Sequence, residues 1–387
     1  MMMTAPPLAL YVHIPWCVRK CPYCDFNSHT APEGLPQREY VDALMADLDQ
    51  DLADYAGALT GRPIVSVFFG GGTPSLFAPD QIGAILEQAS RRIPLVSNAE
   101  ITLETNPGTV EHGVFADYRA AGVNRLSFGV QSFDDDKLVR LGRIHGASEA
   151  RRAVEKAQAD GFSNINLDLM YALPEQTLAG ALTDIDQAVA LSPSHISHYQ
   201  LTLEPNTRFA ANPPPLPDDE LAWDMQEACQ DRLAKAGYLH YETSAYARAH
   251  QQSVHNLNYW QFGDYLGIGA GAHGKISHPQ TGQIRRRWKV RAPRGYLAHA
   301  ATARRIGGDT PVAPDQIAFE FMLNALRLDQ GFPLDLFEQR SGLARKDIDQ
   351  ALFAATARGW LDVDGSQVRP TSSGQRFLND VIGLFLP

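Results

Sequence analysis

The sequence is poor in cysteine. Its 387 residues include four, and three of these, Cys17, Cys21 and Cys24, fall close together near the start. This distribution excludes a disulfide framework, which spreads paired cysteines along a small secreted chain. We therefore expect a cytoplasmic protein in which the clustered thiols bind a metal centre.

Positive charge is also scarce, since 34 Lys and Arg stand against 44 Asp and Glu, a formal net charge of −10. A chain of this charge repels a phosphate backbone, which excludes general nucleic-acid binding. No stretch reaches the ~18 consecutive apolar residues that indicate a membrane span, and the opening MMMTAPPLALYVHIPWC lacks the basic region of a secretory signal. The sequence does not decide which of Met1, Met2 and Met3 is the start.

Apolar residues are plentiful at 44%, and at ~150 residues per domain the length predicts two or three units. Short strand-like runs alternate with helix-like segments through the first two-thirds of the chain, which predicts parallel βα units. The runs are LALYVHI, IVSVFFGGG, EITLET, RLSFGVQS, NINLDLMYALP and HISHYQLTLEP. We predict an α/β fold, a partial TIM-type (β/α)6 barrel, in which the βα loops carry the chemistry.

The predicted units are the barrel over residues 1–240, an extension over 241–310 and a C-terminal domain over 311–387. The last has three helix-like segments followed by the short strand-like runs WLDVDG and SQVRPT. This order is typical of a small winged-helix-like domain. A packing or docking role is favoured over DNA binding, because no basic side chains line the expected recognition helix.

The cysteine loop, Cys17-x3-Cys21-x2-Cys24, directly follows the first predicted strand. Three thiolates on one loop can hold a [4Fe-4S] cluster and leave one iron open. Structural zinc, which prefers four ligands, and reactive surface thiols are the alternatives. The fourth cysteine, Cys229, lies in a helix pattern, and we expect it to be a buried core thiol.

The segment YVHIPWCVRKCPYCDFNSH resembles the radical S-adenosylmethionine (SAM) superfamily, in particular the group related to oxygen-independent coproporphyrinogen III oxidases. This resemblance implies a [4Fe-4S] cluster on the three cysteines with SAM bound at the open iron. It also implies an electron donor, such as flavodoxin or ferredoxin, for cleavage of SAM to a 5′-deoxyadenosyl radical.

Further polar and glycine residues fall where this family places its SAM contacts. Each alone could be an ordinary polar residue at the end of a barrel strand. An acid can accept ribose hydroxyl groups, an arginine can bind a carboxylate, and glycines let backbone approach a ligand closely. The resemblance implies SAM contacts at Tyr11, Tyr23, Gly71, Gly72, Thr73, Glu104, Gln131, Arg143 and Asp168.

The string HNLNYW begins at His255, in a region where we predict little regular structure. A histidine beside packed aromatic residues is commonly a core residue, and this alternative is open here. The string is similar to the HNxxYW motif in the heme-chaperone branch of the same family. That similarity implies that His255 binds heme iron and that heme passes to acceptor proteins, respiratory enzymes among them.

Two departures separate this chain from the catalytic branch of the family. Phe26 stands where that branch has a further cysteine, and Cys17 follows the start without the branch's long preceding segment. Both argue against turnover of coproporphyrinogen, and they leave open whether radical chemistry is used at all. An oxygen-independent coproporphyrinogen III oxidase is the alternative function, and a radical enzyme for an unrelated substrate is a third.

Two weaker patterns lie in the extension. Gly269 to Gly274 fits GxGxxG, but no βαβ unit surrounds it, so we expect no dinucleotide site. His273 within it is a competing heme contact, or a residue that hydrogen-bonds backbone. The basic run from Arg285 to Arg294 is either a solvated strand edge or a surface for heme propionates, an acidic partner or transient membrane contact.

Overall fold

The computed structural model describes residues 3–109 and 114–387, so Met1 and Met2 lie outside the described residues. The strands are β1 Leu8–Ile14, β2 Trp16–Cys17, β3 His29–Thr30, β4 Ile64–Gly71, β5 Leu95–Thr105, β6 Arg125–Gln131, β7 Ile165–Tyr171, β8 His195–Gln200, β9 Leu239–Glu242, β10 Ala245–Ala247, β11 Asp264–Ile268, β12 His273–His278, β13 Gln283–Lys289, β14 Ile306–Pro311, β15 Phe332–Pro333, β16 Leu361–Asp364 and β17 Gln367–Pro370.

The helices are α1 Gln37–Asp54, α2 Ala56–Leu59, α3 Pro79–Arg92, α4 Val114–Ala120, α5 Asp135–Arg140, α6 Ala147–Ala159, α7 Leu178–Ala190, α8 Arg208–Ala211, α9 Asp219–Lys235, α10 Val254–Trp260, α11 Pro293–His299, α12 Ile317–Ala325, α13 Leu334–Ser341, α14 Asp349–Ala357, α15 Ser372–Arg376 and α16 Leu378–Gly383. None of those in the described ranges is long and apolar enough to cross a membrane. Cys229 lies in α9 with no exposed surface, so the prediction of a buried thiol is confirmed.

The six predicted strand runs form adjacent parallel strands in the order β1, β4, β5, β6, β7 and β8. Helices α1, α3, α4, α6 and α7 connect successive strands. The strands are buried along nearly their whole length, as β1 and β7 show, because helices cover one face and the barrel interior the other. The predicted α/β fold with a partial barrel is confirmed.

The extension continues the same sheet at both edges. Strand β11 pairs with β1 as a seventh parallel strand, and β12, β13 and β14 follow it in antiparallel pairing. At the other edge β10 and β9 pair antiparallel beyond β8. Residues 269–272 connect β11 to β12, which begins at His273 and forms a hairpin with β13.

The basic run proves to be mostly ion-paired, so the prediction of a solvated strand edge is wrong. Its strand, β13, lies between β12 and β14. Four of its cations pair with carboxylates on three other elements: Arg285 with Asp309, Arg286 with Glu320, Arg287 with Asp51, Asp54 and Asp309, and Lys289 with Asp47 and Asp51. The pattern of charges along one strand gave no sign of these distant partners. Arg291 and Arg294 are exposed and have no ion pair within the described ranges.

The HNLNYW string forms a helix, α10, where we predicted little regular structure. Ser253 caps its first turn, with Asn256 N donating to Ser253 Oγ at 3.2 Å. The helix packs against β4 and β1. With seven residues it is too short to show a helical period in the sequence, and this explains the error.

The C-terminal domain contains the three expected helices, α12, α13 and α14, and the hairpin of β16 and β17, to which β15 adds a third strand. Its core centres on Phe321, which meets Phe332 and Phe337 edge-on at 5.1 and 5.2 Å between ring centroids. Phe262 from the end of α10 packs into the same core. The domain is therefore attached directly to the helix that carries HNLNYW.

Candidate cluster and cofactor site

A cavity of about 360 Å³ lies at the carboxyl ends of the parallel strands. Most of the residues predicted from the sequence line it together: Cys17, Cys21, Tyr23, Cys24, Gly71, Gly72, Thr73, Glu104, Gln131, Arg143 and Asp168. They come from successive strands, whose carboxyl ends converge at one face of the barrel. We refer to this space as the cluster cavity.

Hydrogen bonds within the cysteine loop and to the residues just after it stabilise its shape. Lys20 Nζ, between the first two cysteines, donates to the carbonyl oxygens of Phe26 and Ser28 at 3.1 and 3.3 Å. Cys24 N donates to Cys21 O at 3.2 Å within a turn. Burial raises the pKa of the Cys17 and Cys24 thiols, which favours their neutral form, whereas a bound metal centre would favour the thiolates that ligate it.

The three thiols are consistent with ligands of one iron–sulfur cluster. In such a cluster each cysteine binds a different iron, so three cysteines on one loop can hold it together. Cys17, Cys21 and Cys24 line the same cavity. Structural zinc prefers four ligands, and among the described residues no group of three His, Cys, Asp or Glu side chains is placed to hold a single metal ion.

Arg143 offers an unused hydrogen-bond donor at the cavity. Its Nη2 donates to Gly129 O at 2.6 Å and its Nη1 lies 3.7 Å from Cys21 Sγ, while its buried Nε has no hydrogen-bond partner among residues 3–109 and 114–387. Burial lowers the pKa of Arg143, but Tyr23 and Cys21 more than offset this, so the pKa is raised and the side chain stays charged. A buried, charged donor without a partner suits the carboxylate of a ligand such as SAM.

Two carboxyl groups, Glu104 and Asp168, face the same cavity. Gly71 N donates to Glu104 Oε2 at 3.1 Å, and Asn166 Nδ2 donates to Asp168 Oδ1 at 2.8 Å. Burial, with the nearby charge of Asp168, raises the pKa of Glu104 to about 8, and burial also raises the pKa of Asp168. A ligand that brings positive charge, as SAM does with its ammonium and sulfonium groups, favours the ionised form of both.

The Gly-rich run needs glycine for steric reasons. A Cβ on Gly71, whose φ is +114°, would lie 2.5 Å from the ring of His13, and one on Gly72 would lie 2.5 Å from Trp16 O. Thr73 N donates to Trp16 O at 2.7 Å, which joins the run to the start of the cysteine loop. The end of β4 is thus pressed against the cysteine loop, and its backbone borders the cavity.

Two predicted residues lie outside the cluster cavity. Tyr11 lines an adjoining cavity of about 420 Å³, which shares Phe26, Gly71 and Glu104 with the first. His255 lines neither cavity and is 2% exposed. Its Nδ1 is hydrogen-bonded to Ser66 Oγ at 2.9 Å, and its Nε2 is buried without a partner within the described chain. Ligation of heme iron by His255 stays a prediction.

Several cavity residues were not predicted from the sequence: Asn106, Ser127, Gly129, Ser197, Tyr199, Glu242 and Ser244. The first five lie on or just after β5, β6 and β8, so the rule that sites follow strand ends could have found them. Tyr199, for example, donates to Gln131 Oε1 at 3.0 Å. Glu242 and Ser244 come from the extension, where no local pattern indicated that the chain returns to the barrel. Asn256, within HNLNYW, also lines this cavity, although the sequence associated its motif with heme.

A parallel barrel with a three-cysteine loop at its carboxyl ends defines the class of protein. The model of the Radical SAM superfamily matches residues 11–187, and that of the HemN C-terminal domain matches residues 312–377. The structure of coproporphyrinogen III oxidase (HemN) from Escherichia coli, a radical SAM enzyme, superposes with a TM-score of 0.82 at 23% identity, over 98% of this chain and 90% of that chain. The predicted fold class is therefore confirmed.

Relatives that match along the full length assign the chain to a more specific family. The chain is 48% identical over 381 residues to the heme chaperone HemW of Haemophilus influenzae, with 98% of each chain covered. It is 49% identical over 385 residues to the heme chaperone HemW of Escherichia coli K12, with 100% of each covered. The chain belongs to the HemW family, and the resemblance noted in the sequence is confirmed.

Proposed function

We propose that this protein binds heme and transfers it to acceptor proteins. The observation that carries the proposal is the position of HNLNYW, the motif that the sequence shares with the heme-chaperone branch. Asn256 of this helix lines the cluster cavity, and Tyr259 lines the adjoining cavity. The names of the full-length relatives support the same function.

The proposal includes a resident [4Fe-4S] cluster on Cys17, Cys21 and Cys24, with SAM in the rest of the cluster cavity. When bound and reduced, the cluster supplies one electron to the sulfonium of SAM. In this proposal Arg143 Nε donates a hydrogen bond to the SAM carboxylate. The carboxyl groups of Glu104 and Asp168 accept hydrogen bonds from the ammonium or hydroxyl groups of SAM. These roles extend the sequence prediction to named atoms.

We also propose a cytoplasmic location, an electron donor such as flavodoxin or ferredoxin, and respiratory enzymes among the heme acceptors. Contact with a membrane surface is at most transient in this proposal. Arg291 and Arg294, the unpaired cations of the basic run within the described ranges, are the residues available for it.

An oxygen-independent coproporphyrinogen III oxidase is the alternative, because most of the residues predicted to hold cluster and SAM line one cavity. Phe26, 63% exposed at the border of the two cavities, stands against it, since the catalytic branch of the family has a cysteine there. The two functions differ in their products, and one experiment can therefore separate them.

The experiment supplies the cluster-loaded protein with reductant, SAM and coproporphyrinogen III, and in parallel supplies its heme-loaded form to an excess of an apo b-type cytochrome. We expect no protoporphyrinogen IX in the first arm and heme transfer, read as the spectrum of the holo-cytochrome, in the second. Free heme at the same concentration controls for spontaneous uptake. Formation of protoporphyrinogen IX with no transfer above this control would show that the chaperone function is wrong.

A further inference from the structure

We propose that heme binds in the cavity that adjoins the cluster cavity, with His273 as ligand to the iron and Arg291 as partner of a propionate. This inference rests on the proposed heme binding and assigns it a place and a ligand. The cavity, called here the tyrosine cavity, is lined by Tyr11, Tyr259 and Tyr265 on its aromatic side.

The tyrosine cavity has the size and walls for a planar aromatic ligand. Its volume of about 420 Å³ lies within the ~300–1,000 Å³ range of small-molecule sites. Tyr259 and Tyr265 meet edge-on with ring centroids 4.4 Å apart, so they form one continuous aromatic wall. Phe26, an exposed phenylalanine, also lines the cavity and adds apolar surface to it.

Of the two histidines that line this cavity, His273 is the one whose ring is available. His13 Nε2 donates to Asn27 O at 2.9 Å, so its Nδ1 accepts from Tyr11 Oη at 3.0 Å and both nitrogens are used. His255 is buried and lines neither cavity. His273 is exposed, lines the cavity, and its ring nitrogens have no hydrogen-bond partner among residues 3–109 and 114–387.

The ring of His273 is also held in place by packing. It stacks on Trp288, with ring centroids 6.1 Å apart and planes inclined by 20°. An imidazole nitrogen supplies the lone pair that binds iron.

The connection from β11 to β12, which leads directly into His273, is fixed against the cysteine loop. A Cβ on Gly271 would lie 2.3 Å from Asn27 Nδ2, so glycine is required for this contact. Asn27 Nδ2 donates to the carbonyl oxygens of Ala270 and Arg291, both at 2.9 Å. One side chain therefore positions the backbone on both sides of the cavity, next to His273 and next to Arg291.

Arg291 is the cation of the basic run that faces this cavity and has no ion pair with a described residue. Arg285, Arg286, Arg287 and Lys289 are each paired with carboxylates. A free guanidinium at the edge of an aromatic cavity suits a carboxylate on a planar apolar ligand, which describes heme with its propionates.

If heme binds in the tyrosine cavity, HNLNYW has a role there even though His255 does not ligate the heme iron. The ring of His255 contacts that of Tyr259 edge-on at 5.0 Å and stacks on Phe68 at 4.9 Å. His255 N donates to Glu100 Oε1 at 3.0 Å, which anchors the first turn of α10. His255 is thus a positioning residue that fixes Tyr259 in the wall of the tyrosine cavity.

The test is an anaerobic heme titration of the cluster-loaded protein, followed by difference absorbance. We expect His273→Ala to weaken binding at least about tenfold, as for loss of a metal-site contact, and His278→Ala, on the same strand but outside the cavity, to match wild type. Arg291→Gln should weaken binding about two- to fivefold, the value of an exposed ion pair. The loss of affinity in Arg291→Gln should disappear when heme dimethyl ester, which has no free propionates, replaces heme. Arg294→Gln, the matched control outside the cavity, should leave heme affinity unchanged.

A ligand-exchange variant separates ligation from folding. If His273 binds the iron, His273→Cys should give ferric heme the spectrum of a thiolate-ligated heme, which a merely structural residue cannot produce. Saturable wild-type binding that His273→Ala and His273→Cys leave unchanged in affinity and spectrum would overturn this inference while the proposed function stands. Failure of the wild type itself to bind heme would overturn the proposed function.

Discussion

The substitution Asp47→Asn should loosen the attachment of the extension to the barrel. Asp47, in α1, has no exposed surface. Its carboxylate accepts from Lys289 Nζ, from Arg305 Nε at 2.9 Å, from Tyr296 Oη at 2.8 Å and from Gly269 N at 3.2 Å. All four donors belong to the extension, so this one carboxylate joins it to the first helix of the barrel.

The expected magnitude follows from burial of the charges. In the Asp47→Asn variant the negative charge is gone, while Lys289 and Arg305, each 1% exposed, keep Asp51 as a partner. The expected cost is therefore that of lost hydrogen bonds to a charged group, about 1.5–3 kcal/mol. At about 1.4 kcal/mol per factor of ten, local opening of the extension should become more frequent by on the order of 10- to 100-fold.

Hydrogen exchange measured by mass spectrometry on peptides from β13 and from residues 269–274 is the assay, since protected amides there exchange through local opening. The matched control is Asp49→Asn on the same helix. Asp49 is 51% exposed and pairs with Arg92 at 2.7 Å, so its loss should cost less than about 1 kcal/mol, or about fivefold. Equal exchange in the two variants would refute the argument that the buried network holds the extension in place.

Three other predictions concern the cluster cavity. Cys21→Ser should abolish the iron–sulfur absorbance after reconstitution, whereas Cys229→Ser, in α9, should retain it; retention by both would exclude Cys21 as a ligand. Arg143→Lys should weaken SAM binding, measured by equilibrium dialysis, about tenfold or more. The reason is that a charge-assisted hydrogen bond contributes about 1.5–3 kcal/mol. Unchanged affinity would contradict the role of Arg143 Nε. Glu104 keeps its proton in the folded protein up to about pH 8, whereas its ordinary pKa is 4.5, so SAM-free protein should lose stability as pH rises through this window. Thermal unfolding should show a smaller loss for Glu104→Gln, and identical slopes would contradict the raised pKa.

The barrel could be predicted because its signals are local. Each of the six parallel strands is a continuous apolar run that ends in turn or polar residues, and each connecting helix has its own period. Residues at strand ends converge by topology alone, and this brought Glu104, Gln131 and Asp168 correctly to one cavity.

The extension could not be predicted in the same way, because its structure depends on distant partners. Strand β11 is five residues long and pairs with β1, more than two hundred residues earlier in the chain. Arg287 and Lys289 of β13 pair with carboxylates of α1, and no pattern within the basic run indicates these partners.

Histidines illustrate the same limit at the level of single residues. The motif predicted His255 as the heme ligand, but the ring of His255 is buried against Phe68. His273, in the glycine-rich segment, was predicted only as a competing contact. The accessibility of an imidazole depends on what packs around it in three dimensions. The sequence shows which residue types are present but not which of their atoms reach a cavity.

The most direct test of the central claim is the stoichiometry of heme binding by the anaerobic, cluster-loaded wild-type protein. We predict saturable binding of one heme per chain, with a Soret band distinct from that of free heme. A linear rise of absorbance with added heme, with no saturation and no change in band position, would contradict the account of this protein as a heme chaperone.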